Sequence, residues 1–131
     1  MILKNIEIEE IMESLSYISE KEITNIPLAF KLSKLLIFFR KHAIDIYTHR
    51  NKIIDEYSLK DENGKPVKDK NGMIAVKEKD KFPEVTKKIT ELMNTELSLE
   101  IPCFITFEEL GKAGLILSPA KITGLDKLIK Q

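Results

Sequence analysis

Tryptophan is absent from this chain, histidine occurs twice and cysteine once. The lone Cys103 excludes an intrachain disulfide, and that cysteine usage fits a reducing compartment. Proline and glycine occur five times each, and neither interrupts residues 28–63. The longest apolar run, residues 35–39, falls far short of the roughly 20 residues that span a bilayer. The opening MILKNIEIEEIMES lacks a basic region followed by an apolar core, so no secretory signal is expected. The expected location is the cytoplasm. The sequence also lacks GxxxxGK[ST], GxGxxG and HExxH, which removes the usual phosphate-cradling and zinc-protease patterns.

A surplus of either charge is missing too: 21 basic residues balance 21 acidic ones. A dedicated nucleic-acid binder needs a cationic surplus for phosphate contacts, and none exists overall. The distribution is uneven, however. Residues 1–25 carry Lys4 and Lys21 against six glutamates, a net charge of −4. Residues 27–60 carry seven Lys and Arg against Asp45, Asp55 and Glu56, a net charge of +4. The simplest expectation sets the acidic first helix against the basic segment.

What the chain does contain is helix pattern. The stretch from Pro27 to about Leu59 predicts one helix of about 33 residues, roughly 50 Å long. That far exceeds the average globular helix, so it needs a partner along its length. Asn25 is its expected cap, with Pro27 in the first turn. Leu28, Leu32, Leu35, Phe39, His42, Ile46, His49 and Ile53 repeat at 4–3 spacing, a heptad seam. Leu36, Ile37, Phe38, Ala43, Ile44, Tyr47 and Ile54 broaden the apolar surface, so more than one neighbour is expected there.

Around it, residues 2–8 alternate as an opening strand, and a helix is expected from about Glu9 to Glu20. Asn63-Gly64 and Asn71-Gly72 are turn signals that predict a small exposed hairpin or arm over residues 61–79, with a disordered loop as the alternative. A second helix is expected from Pro83 to Asn94, turning back along the end of the long one, with Phe82, Val85, Ile89, Leu92 and Met93 on one face. Leu97, Leu99 and Ile101 then alternate as a strand suited to pair with the opening one. Thr106 to Glu109 has capping-box spacing for a short helix stopped by Gly111 and Gly114. Ser118-Pro119 opens a last helix to Ile129, which Gly124 weakens. The expected fold is α+β and helix-dominated: a single domain with a long helical hairpin, a small sheet and short C-terminal helices.

Little of this carries chemistry. His42 and His49 stand two turns apart, about 10 Å, too far for one ion without ligands from a partner helix. A polar pair on the seam is the simpler reading. Cys103 follows Pro102 with no base nearby in sequence, so it reads as a small buried apolar residue. Adjacent acids such as Glu108-Glu109 diverge on a helix and do not form a metal site. No cofactor, metal or catalytic residue is expected. The candidate partner-contact residues are Arg40, Lys41, Tyr47, Arg50, Ile54 and Tyr57 on the long helix. Lys65, Lys68, Met73 and Ile74 on the arm complete the set.

Segment order also resembles a family of small, uncharacterised bacteriophage and prophage proteins of Gram-positive bacteria. The likeness covers nearly the whole chain: IPLAFKLSKLL at residues 26–36, IIDEYSLKDENGKPVKDKNGMIAVKEKDKF at 53–82, TELSLEIP at 95–102 and LILSPAKITGLDKLI at 115–129. It implies a phage-encoded protein acting in a bacterial host cell, and it brings no activity and no functional residue with it. The function expected is non-enzymatic binding of a host or phage protein, with self-association through the long helix as a further expectation. The alternative is nucleic-acid binding through Arg40, Lys41, Arg50 and Lys52.

Overall fold

The computed structural model describes residues 1–65, 67–68, 71–72, 75 and 81–130. The chain divides into two compact units, Met1–Ile44 with Glu96–Gln131, and Asp45–Thr95. The fold is α+β and helix-dominated.

In the first unit, strand β1 (Ile2–Lys4) leads directly into helix α1 (Asn5–Ser19). The strand is shorter than its alternation suggests. The Glu7 carboxylate accepts a hydrogen bond from the Lys4 backbone N–H at 3.0 Å, which starts the helix at Asn5. Ile8, Ile11, Leu15 and Ile18 then bury one helical face. β1 pairs antiparallel with β2 (Glu96–Ser98), setting Leu3 opposite Leu97. The Leu99 N–H extends the pairing to the Met1 carbonyl at 2.8 Å.

Helix α2 (Ile26–Tyr57) begins where its cap predicts, since Asn25 Oδ1 accepts from the Leu28 N–H at 3.1 Å. Leu28, Leu32, Leu35 and Phe39 form its buried seam. The heptad holds at buried Ile46 and half-buried Ile53 but not at the histidines: His42 is half-buried and His49 exposed. A straight helix drifts about 20° per heptad from a 3.5-residue repeat, so the seam rotates away from His49.

In chain order α3 (Phe82–Met93), which belongs to the second unit, precedes helix α4 (Phe107–Lys112). The α4 capping box is intact: the Glu109 N–H donates to Thr106 Oγ1 and the Thr106 N–H donates back to Glu109. It runs through Gly111 and ends before Gly114. Helix α5 (Pro119–Leu125) is shorter than expected and tightens into a 3-10 turn at Asp126–Leu128. Ile105 is fully buried and bridges Ile129.

Helix α5 packs on α1, and Gly124 is the reason it can. A Cβ there would collide with Ser14 Oγ and sit 3.0 Å from the Glu10 carbonyl oxygen. The expectation that Gly124 only weakens its helix is therefore corrected: it permits a close crossing. The charge expectation also changes. Glu7 and Glu13 of α1 pair with Lys127 and Lys121 of the C-terminal segment, not with α2. On α2, Lys31 instead reaches both carboxylate oxygens of Glu109 at 3.0 Å.

In the second unit, α3 runs antiparallel to the end of α2. Tyr57 Oη donates to Glu84 at 3.0 Å, while Arg50 Nη2 lies 3.5 Å from Met93 Sδ. Val85 is buried and Ile89, Leu92 and Met93 half-buried, but Phe82 stands on the exposed side. The arm is hydrogen-bonded in its described part. The Val67 N–H donates to the Leu59 carbonyl at 2.8 Å, and the Ala75 N–H to the Val67 carbonyl at 2.7 Å. Asp61 Oδ1 accepts from the Asn63 and Lys65 N–H groups, and Gly64 takes φ +76 to close the turn.

Candidate interaction surface on the long helix

The contact residues expected from sequence do not form one open face. Arg40 and Lys41 are exposed in the first unit, and Tyr47, Lys65 and Lys68 in the second. Arg50, Ile54 and Tyr57 are half-buried at i, i+4 and i+7. Arg50 and Tyr57 contact α3, and Lys88 Nζ sits 4.9 Å from the Tyr57 ring centroid, so this side serves the fold. Arg50 and Lys52, two residues apart, point about 200° from each other. The four cations read as one basic face are therefore divided. Met73 and Ile74 lie outside the described residues.

A different surface stands in the first unit. Ile26 is 79% exposed, Phe30 62%, Ile37 65% and Ile44 57%. At about 100° per residue they lie within about 40° of one line along α2. The buried seam of Leu28, Leu32, Leu35 and Phe39 lies about 165° round the helix. So α2 carries two apolar stripes on opposite sides, one in the core and one in solvent. The signal was present in the 4–7–7 spacing of Ile26, Phe30, Ile37 and Ile44, which the denser inner seam obscured.

The exposed stripe is bordered on one side by a groove of about 330 Å³ between α1 and α2. Leu15 and Ile18 of α1 line it with Ala29, Leu32 and Leu36 of α2. Ser33 belongs to the groove and falls on the stripe. The other borders are cationic. Lys34 Nζ lies 4.9 Å over the Phe30 ring, and Arg40 and Lys41 are exposed nearby. No Asp or Glu occurs from Ile26 through Ile44.

The remaining reactive groups are structurally engaged. Cys103 is half-buried with Sγ 3.5 Å from the Lys31 carbonyl oxygen, and burial pushes its thiol above the ordinary value. That is the opposite of what activates a nucleophile. The hydrogen bond from Lys31 holds the Glu109 carboxyl below its usual range. His42 packs its ring edge-on to Phe38, with centroids 5.1 Å apart. Among the described residues no group of three His, Cys, Asp or Glu side chains is placed to hold a metal ion. Among the same residues no helix is long and apolar enough to cross a membrane.

Comparison with family models, curated proteins and solved structures finds no match to the chain.

Proposed function

We propose that this is a non-enzymatic protein whose task is to bind another protein through the exposed face of α2. The observation that carries this reading is the stripe of Ile26, Phe30 and Ile37. Burying one such side chain is worth about 1.5–3 kcal/mol, and the fold leaves that free energy unused. Exposed apolar patches rimmed by polar groups mark interaction sites. The likeness of the sequence to bacteriophage and prophage proteins supports a phage accessory, either an assembly adaptor or an inhibitor of a host protein, acting in the bacterial cytoplasm.

Nucleic-acid binding is the second reading, favoured by Lys34, Arg40 and Lys41 in a segment without acids. Phosphate contacts need those cations but have no use for Phe30 and Ile37 between them.

An affinity pulldown from bacterial lysate tests the two together. Wild-type bait is compared with the Phe30→Glu, Ile37→Glu double variant, with and without nuclease. A stoichiometric protein retained by wild type and lost by the variant supports the interaction reading. Retention of nucleic acid that salt releases and the variant keeps would overturn it.

A further inference from the structure

We infer that the exposed face of α2 takes an acidic amphipathic helix of another protein. This rests on the interaction reading above and names the chemistry of its partner. The spacing is the first argument. Ile26, Phe30, Ser33, Ile37, Arg40 and Ile44 succeed one another at 4–3 intervals, the register in which one helix receives the side chains of a second. The α1–α2 groove beside the stripe gives such a helix a second wall. A strand would need an exposed sheet edge, and a helix surface offers none.

Charge decides what kind of helix. Lys34 and Lys41 flank the stripe and Arg40 interrupts it, with no carboxylate on α2 from Ile26 through Ile44. Lys21, just beyond the end of α1, lines the adjoining groove. The carboxylates of Glu7 and Glu13 are drawn to Lys127 and Lys121. The same face of a second copy carries the same cations and, from Ile26 through Ile44, no carboxylate to answer Lys34, Arg40 and Lys41. Like charges across an interface are unfavourable, so the charge pattern rejects self-pairing and selects a partner with Asp or Glu beside its apolar stripe. A membrane surface fits less well. Arg40 falls within the stripe itself, where a lipid-inserting face carries apolar side chains and a partner helix can oppose a carboxylate.

The test uses the full chain and three labelled peptides of about three heptads. Each carries apolar residues at a and d. One is flanked by Glu, one by Lys, and the third is the acidic peptide rearranged to break its heptad. Fluorescence anisotropy is expected to show the acidic helix binding about tenfold tighter than the Lys-flanked one, as three ordinary surface ion pairs supply, and tighter than the rearranged peptide, which keeps the charges but loses the apolar register. The preference shrinks in high salt. The triple reversal Lys34→Glu, Arg40→Glu, Lys41→Glu is expected to invert it without moving the melting temperature. Equal binding of acidic and basic peptides would overturn the inference. So would a concentration-dependent dimer abolished by Ile37→Glu, or binding to mixed phosphatidylcholine–phosphatidylserine vesicles with no peptide preference. If the acidic peptide fails while Phe30→Glu, Ile37→Glu still loses its lysate protein, the interaction reading stands and only the acidic partner falls.

Discussion

Replacing Gly124 by alanine sets two effects of known size against each other. In a helix interior alanine is favoured over glycine by about 1 kcal/mol. Gly124 sits in the last turn of the seven-residue α5, where a helix frays and that gain is smaller. Against it stands the crossing with α1. The new methyl would meet Ser14 Oγ, with Ser14 Cβ 3.2 Å away and the Glu10 carbonyl oxygen at 3.0 Å. Ser14 is buried, so its hydroxyl has little room to turn, and the carbonyl belongs to the α1 backbone. Overpacking of this kind costs about 1–3 kcal/mol. The clash wins, and a net loss of about 1–2 kcal/mol is expected, lowering Tm by about 4–8 °C. Gly111 provides the control. It is also helical, but nothing lies within 4 Å of its added Cβ. Gly111→Ala is therefore expected to raise Tm by a few degrees. Thermal melts followed by far-UV circular dichroism measure both. Adding Ser14→Ala to Gly124→Ala should recover part of the loss, because the two side chains compete for one space. Equal stabilisation by both glycine substitutions would refute the close α1–α5 crossing.

The two stripes of α2 predict opposite responses to the same truncation. Leu35→Ala removes a fully buried side chain and should cost about 2–5 kcal/mol, whereas Ile37→Ala should stay within about 0.5 kcal/mol; denaturant titration reads both. The Lys31–Glu109 contact predicts part of the acid limb of stability. Its carboxyl is held below the ordinary value, so the contribution is present above the usual Glu range near pH 4 and is lost as pH falls through the depressed value. Glu109→Gln should flatten that limb and leave stability above pH 6 little pH-dependent at this site; an unchanged acid limb would show that the pair contributes nothing.

Features set by local chemistry were readable from the chain. The Thr106–Glu109 box needs only two side chains three residues apart, and it forms as spaced. Asn25 caps α2 for the same reason, and Leu97 meets Leu3 because both strands carry an apolar alternation. What sequence could not show depends on residues far apart in the chain. Gly124 reads as a helix weakener until Ser14 and the Glu10 carbonyl, more than a hundred positions earlier, arrive beside it. Glu7 and Glu13 were expected to face the basic helix, yet opposite charge alone does not choose among several lysines. Lys127 and Lys121 are brought close by the packing of α5. Arg50 and Tyr57 read as exposed contacts because their partners, Met93 and Glu84, belong to another helix.

The two faces of α2 show where pattern reading stops and what resolves it. Both apolar stripes are periodic, and periodicity alone labels neither as core. The difference lies in what interrupts them. Leu28, Leu32, Leu35 and Phe39 follow one another at 4–3–4 spacing without a polar residue. The opposite series is broken by Ser33 and Arg40. Burying that second series would place a guanidinium in the interior, at several kcal/mol unless it were paired. The unbroken series therefore goes inside, and the interrupted one must face either water or a partner that supplies an acid. Water leaves Phe30 and Ile37 exposed at an aggregation risk and gives the fold nothing in return. A partner carboxylate at Arg40 turns the same interruption into a register mark, because only one alignment of the two helices pairs it.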